Sequence, residues 1–214
     1  MVAVDAIFFD LDGTLVDART DIVNAMNYTL AKLDRPAKPF KEVVSYIGTG
    51  VSYLVSRSLG SEDAGLVDEG VRIYIDRYTA HPADEAIIYP HVKETLDFFR
   101  NKRKFILTNR YVNLADPLLE ATGLKVYFEE VIGGDDENCL KPSACVFDKI
   151  IPRLKVDKKR AIIVGDMAVD IMAGKNSGIK TCWATYGLGT AAEVKSSKPD
   201  YTIGDITELK KIIK

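Results

Sequence analysis

The sequence predicts an α/β protein: a Rossmann-like parallel sheet core with an inserted all-helical cap domain near its start. Three observations carry that prediction. After Pro82, short apolar runs alternate with helix-like stretches, which is the pattern of a parallel sheet covered by helices. A strand-like run at the N-terminus finds no candidate partner strand before that region. Between the two, nothing from Arg19 to Thr79 has strand character.

Taken in order, Val4 to Phe9 is short, apolar and rich in strand formers, and it stops at the turn signal Asp10-Leu11-Asp12-Gly13. From Arg19 to Leu33, Ile22, Met26, Leu30 and Leu33 recur at helical spacing; Val67, Val71, Tyr74 (or Ile75) and Tyr78 do the same before His81. Phe40 to Tyr46 and Val51 to Leu59 form two shorter helices around the Gly48-Thr49-Gly50 break. The strand runs that follow are Phe105 to Leu107, Glu130 to Ile132, Ala161 to Val164, Thr181 to Ala184 and Tyr201 to Ile203. Gly123 and Gly178 stand where left-handed helix caps are needed. The expected division is therefore 1–15 with 83–214 for the core and 16–82 for the cap.

A chain of 214 residues with 47% hydrophobic content can bury a core of this size. Its 29 Lys and Arg against 31 Asp and Glu leave a net charge of -2, so no basic field exists to draw in nucleic acid. No run approaches membrane-spanning length and no leader pattern opens the chain, so a cytoplasmic location and a small-molecule partner are expected. Cys139, Cys145 and Cys182 lack a C-x-x-C spacing, and only His81 and His91 offer imidazole; neither a disulfide scaffold nor a soft-metal site is expected. Cys139 and Cys145 are read as small fillers, and both histidines as structural or exposed.

Ligands of open α/β sheets gather at the carboxyl ends of the strands, where this sequence repeatedly places polar residues. The first strand ends in Asp10 and Asp12, the Phe105 run in Thr108 and Asn109, and the Ala161 run in Gly165 and Asp166, with Asp170 a helical turn beyond. Lys141 follows the Val131-Ile132 strand after a loop. Converging carboxylates repel one another, and a hard divalent cation with oxygen ligands, Mg²⁺, relieves that repulsion. The ammonium of Lys141, the donors of Thr108 and Asn109, and the amides after Asp10 then suit a phosphate dianion. Asp10 can serve as nucleophile to give an acyl phosphate, and Asp12, two residues on, can protonate the leaving alkoxide. Each element alone has a plainer meaning as a cap, turn or solvated residue; it is their order at successive strand ends that argues for a site.

Those motifs resemble the haloacid dehalogenase superfamily of phosphohydrolases, and within it the phosphoglycolate phosphatase-like group. The run Asp10 to Asp17 resembles the first motif, Thr108-Asn109 the second, Lys141-Pro142 the third, and Gly165-Asp166 with Asp170 the fourth. The resemblance implies that Asp10 is nucleophile and metal ligand, and that Asp12 is general acid/base, its backbone carbonyl also on the metal. It implies that Thr108 and Asn109 hold phosphoryl oxygens, that Lys141 steadies nucleophile and phosphate, and that Asp166 with Asp170 holds Mg²⁺. The helical insertion resembles the family's cap, and Gly48 to Val51 with Leu54 its substrate loop. Met167, Ser143 and Arg110 depart from the group's usual residues, and Arg110 and Arg57 are candidates to meet a substrate carboxylate.

The expected activity is hydrolysis of a small phosphomonoester, 2-phosphoglycolate first. A sugar phosphomutase resembling β-phosphoglucomutase is the nearest rival, with Thr14 leaning toward hydrolysis, and an inorganic pyrophosphatase is a second. A dehalogenase would leave Asp12 with no group to protonate. A receiver-like phospho-switch, the non-enzyme alternative, has neither the cap nor the Gly165-Asp166 motif.

Overall fold

The computed structural model describes residues 1–214. The chain runs β1 (Ala6–Phe9), β2 (Val16–Asp17), α1 (Arg19–Lys32), α2 (Phe40–Val44), α3 (Val51–Leu59), α4 (Ala64–Ala80), β3 (Ile87–Ile88), α5 (Val92–Phe98), β4 (Arg103–Leu107) and α6 (Val112–Ala121). It continues through β5 (Glu130–Ile132), α7 (Cys145–Leu154), β6 (Ala161–Gly165), α8 (Ala168–Ser177), β7 (Lys180–Ala184), α9 (Ala191–Ser196), β8 (Tyr201–Ile203) and α10 (Leu209–Ile212). Six of these strands form one parallel sheet in the order β5-β4-β1-β6-β7-β8.

Strand alternation explains why the sheet is buried on both sides. Successive side chains point to opposite faces, and here both faces are apolar. Ile7, Phe9, Ile106, Ile162 and Val164 enter one core with the cap helices, while Ala6, Phe8, Phe105, Leu107 and Ile163 enter a second beneath α7. Phe8 stacks on Phe105 and meets Phe147 edge-on, with both pairs of ring centroids 5.1 Å apart. The two edge strands, β5 and β8, have only three residues each, which limits the unpaired backbone they offer.

Between β2 and β3 the chain is entirely helical. α4 is capped by the Asp63 side chain, which accepts from the Leu66 amide, and α3 is ended by Gly60 in the left-handed conformation. α4 packs along α1 and α3, burying Tyr74 and Tyr78. The sequence gives no sign of the antiparallel ribbon made by β2 and β3, because two-residue strands carry no periodicity. We propose that the division of cap from core lies at this ribbon, the one place where chain leaving the core pairs with chain returning to it.

One expectation is corrected. Cys139 and Cys145 form a disulfide, with Cα atoms 5.4 Å apart. Their spacing matches no motif; a 3₁₀ turn over Glu137–Cys139 and the bend at Leu140 to Ser143 fold the loop back so that two thiols meet. Cys182 is free and buried, and His81 and His91 pair with Asp84 and Asp205 at the surface.

Candidate active site

β1 is the point where the strand order reverses: β4 and β5 lie on one side, β6 to β8 on the other. The crevice over its carboxyl end is the expected ligand position in such sheets. Asp10 leaves β1 there, its amide still bonded to the Val164 carbonyl, so the neighbouring strand fixes its position. Asp166 follows β6 directly, and Asp170 lies in the first turn of α8, where its Oδ2 accepts from the Met167 amide at 3.0 Å.

These three carboxylates converge. One oxygen from each of Asp10, Asp166 and Asp170 lies within 4.8 Å of the others, and all three residues are buried. The Lys141 ammonium reaches in from the loop after β5, donating to Asp10 Oδ1 at 2.6 Å, Asp170 Oδ1 at 2.7 Å and the Leu107 carbonyl at 2.7 Å. Three carboxylates and one ammonium leave two negative charges in a dry place. Burial opposes the charge on Lys141, but Asp10 and Asp170 outweigh it and hold the amine above the usual lysine range. Burial pushes Asp10 well up, opposed by Lys141 and aided by the charges of Asp170 and Asp166. Asp166 rises to about 7, first through burial and then through Asp170, against hydrogen bonds from Leu188 and Thr14. A buried all-oxygen donor set short of two positive charges fits a divalent hard cation.

Sequence reasoning passed over the cage around Asp166. Thr14 Oγ1 donates to its Oδ1 at 2.8 Å, the Leu188 amide to its Oδ2 at 2.6 Å, and Trp183 Nε1 to its carbonyl at 3.1 Å. The visible signal was the Gly187-Leu188-Gly189 run just beyond the carboxyl end of β7. Gly13, at φ 89°, lets the chain turn away after Asp12, and a Cβ there would sit 2.3 Å from Asp166 Oδ2.

Asp12 stands apart from the cluster. Arg110 Nε and Nη2 donate to its two oxygens at 2.9 and 2.8 Å, so both side-chain acceptors are already paired. The Asn109 side chain is also committed: Nδ2 donates to the Gly48 and Lys141 carbonyls, and Oδ1 accepts from the Lys141 amide. Its side chain therefore braces the Lys141 loop and the cap. Thr108 is buried with its hydroxyl accepting from the Arg110 amide, which leaves that hydroxyl's proton to give. No backbone carbonyl accepts from the N–H groups of Leu11, Asp12 or Asn109. Arg57 lies on the exposed face of the cap beside the Tyr46 ring, away from this crevice.

The cap sits closed over these groups. Ser52 contacts Glu137 and Tyr111 of the core, and Gly48 at φ 97° meets Met167, where a Cβ would come within 2.4 Å of the sulfur. Gly48 to Val51 is thus both a helix break and part of a cavity wall, shared with Leu54, Asp12 and Arg110.

Residues 7–184 match the family model described as haloacid dehalogenase-like hydrolase. The chain belongs to that family. Like other haloacid dehalogenase-like hydrolases it is an enzyme, and it has curated relatives that are phosphoglycolate phosphatases. A phosphoglycolate phosphatase of Chromobacterium violaceum is 33% identical over 99% of this chain and 97% of its own. Another, plasmid-borne in Cupriavidus necator, is 38% identical over 85% and 81%. A crystal structure of a predicted phosphoglycolate phosphatase from Haemophilus somnus superposes with a TM-score of 0.91 at 27% identity, covering 99% of both chains. This member of the family is therefore a phosphatase, and no helix in it is long and apolar enough to cross a membrane.

Proposed function

We propose that this phosphatase is Mg²⁺-dependent and hydrolyses 2-phosphoglycolate through an aspartyl-phosphate on Asp10. The observation that carries the reading is the buried convergence of Asp10, Asp166 and Asp170 on Lys141 at the topological switch of the sheet. The substrate rests on the phosphoglycolate phosphatases among the relatives, at 33% and 38% identity.

In this reading the Asp10 carboxylate attacks phosphorus in line with the ester oxygen, and the P–O ester bond breaks as the acyl phosphate forms. Lys141 holds Asp10 in place and balances charge on the transferring group. The free N–H groups of Leu11, Asp12 and Asn109 and the Thr108 hydroxyl are the donors offered to phosphoryl oxygens. Asp10, Asp166, Asp170 and the Asp12 carbonyl would hold a Mg²⁺ ion, which would neutralise further charge on the phosphate. Asp12 gives its proton to the departing alkoxide, then takes one from the water that attacks phosphorus and releases Asp10. Both Asp12 oxygens accept from Arg110, so Asp12 gives up one of those bonds to carry a proton. The closed cap keeps other water out while the phosphoryl group moves.

The test is phosphate release from 2-phosphoglycolate, glucose 1-phosphate and pyrophosphate, with Mg²⁺ and with EDTA, for the wild type and Asp10→Asn. Preference for phosphoglycolate, lost in EDTA and in the variant, is expected. Turnover that survives Asp10→Asn would sink the nucleophile assignment, and a hexose phosphate favourite would return the chain to the mutase reading.

A further inference from the structure

The chemistry above uses only half of Arg110. One edge of the guanidinium, Nε and Nη2, is taken up by Asp12. Nη1, on the other side, is buried and has no hydrogen-bond partner. The side chain is 5% exposed, and its guanidinium carbon lies 4.4 Å from the centre of the fully buried Tyr78 ring, so the group is clamped in one orientation. A buried charged donor left without an acceptor is costly, and sites with this feature gain from an acceptor supplied by a ligand.

Arg110 also forms part of the wall of a cavity of about 40 Å³ between cap and core, together with Asp12, Gly48, Val51, Leu54 and Tyr74. Most of that lining is apolar, the Asp12 oxygens are already paired, and the Asn109 amide is committed to Gly48 and Lys141. Since a water needs roughly 10–15 Å³ by the same measure, the space suits a fragment of about three heavy atoms and excludes a hexose ring.

We propose that Arg110 determines specificity by binding, through Nη1, a carboxylate carried two bonds from the ester oxygen of the substrate. The proposal rests on the phosphatase reading above and extends it to a substrate class: small phosphomonoesters with an α-carboxylate. Asp12 serves the ester oxygen, and a carboxylate two bonds away falls beside Asp12. A planar guanidinium that holds Asp12 on one edge spans that separation with the other. A lysine places one point charge where the guanidinium offers two hydrogen-bonding edges. The Tyr78 hydroxyl, which lies near the Arg110 guanidinium, is a neutral and weaker acceptor than a carboxylate.

The experiment compares kcat/KM for 2-phosphoglycolate and for 2-hydroxyethyl phosphate, its neutral analogue, in the wild type, Arg110→Lys and Arg110→Gln. The wild type is expected to favour the carboxylate, and both variants to lower that preference by roughly 10–100-fold, mainly through KM. Equal losses on both substrates would mean that Arg110 only positions Asp12; the inference then fails while the phosphatase reading stands. A wild type that makes no distinction between the two esters overturns the inference and the choice of 2-phosphoglycolate as substrate, while phosphate release from either ester keeps the phosphatase reading. Melting curves show whether each variant folds; should neither fold, protection of the wild type by glycolate and not by ethylene glycol carries the test, and absence of such protection refutes it.

Discussion

The Lys141 ammonium bridges Asp10 Oδ1 and Asp170 Oδ1 at 2.6 and 2.7 Å, in a site where all three side chains are buried. Its removal leaves carboxylates facing one another without a counter-charge. Lys141→Met is expected to lose roughly 10²–10³-fold in turnover, the scale seen when one preorganised charge-stabilising group is removed. The same variant should be destabilised by about 3–5 kcal/mol in EDTA, since a buried pair has been broken from one side. Denaturant melts with and without Mg²⁺ check this: the deficit should shrink when the ion is present, and a variant as stable as wild type in EDTA would contradict the picture.

Thr14 holds Asp166 through a fully buried hydrogen bond of 2.8 Å. Thr14→Val keeps the shape and removes the donor. A hydrogen bond to a charged group contributes about 1.5–3 kcal/mol, so Mg²⁺ affinity should weaken about ten-fold or more as the carboxylate loses its orientation. Titration calorimetry or the Mg²⁺ dependence of turnover measures the change.

Removing the metal makes stability pH-dependent in a stated direction. Asp166 loses its proton only near pH 7 in the folded chain, against an ordinary value of 3.8, because it is buried and lies beside Asp170. In that interval the folded state binds more protons than the unfolded one. The stability is fully present below the lower value and is lost as pH rises through the upper one. In EDTA the melting temperature should therefore fall between about pH 4 and pH 7, and saturating Mg²⁺ should reverse the trend, because it binds the ionised carboxylates. A metal-free protein that gains stability over this range would contradict the account.

The Cys139–Cys145 bridge spans a separation of only 6 residues and brackets Lys141. On loop-closure grounds it contributes about 2 kcal/mol. Cys139→Ser, or wild type under a reductant, should lose that much and hold the Lys141 loop less firmly, lowering turnover with little change in KM. Thiol titration under denaturing conditions gives the redox state directly.

The six strands of the sheet, the four helices of the insertion and the carboxylates at the strand ends were legible because their signals are local. An apolar run such as Ala6 to Phe9 and a 3.6-residue period such as that of Val67 to Tyr78 are set by neighbouring residues, and a strand end marks where a polar side chain emerges. The grouping of Asp10, Asp166 and Asp170 with Lys141 followed from one further rule, that parallel strands expose their carboxyl ends on one side.

What the tertiary structure decided is what depends on pairs far apart in the chain. Arg110 meets Asp12 across 98 residues, and Thr14 meets Asp166 across 152. No spacing rule covers either pair, because each exists only when β1, β4 and β6 lie side by side. The Asn109 side chain braces the Lys141 loop and the cap, which no local signal announces, since only packing reveals which of its hydrogen-bonding groups are already taken. The Cys139–Cys145 bridge and the β2–β3 ribbon escaped notice because a loop's path and a two-residue pairing leave no periodic trace. Sequence by itself determined the chemistry available, through residue type and strand-end position; the tertiary structure decided which groups are paired and which, such as Nη1 of Arg110, are left free, because that depends on distances the chain sets only when it closes on itself.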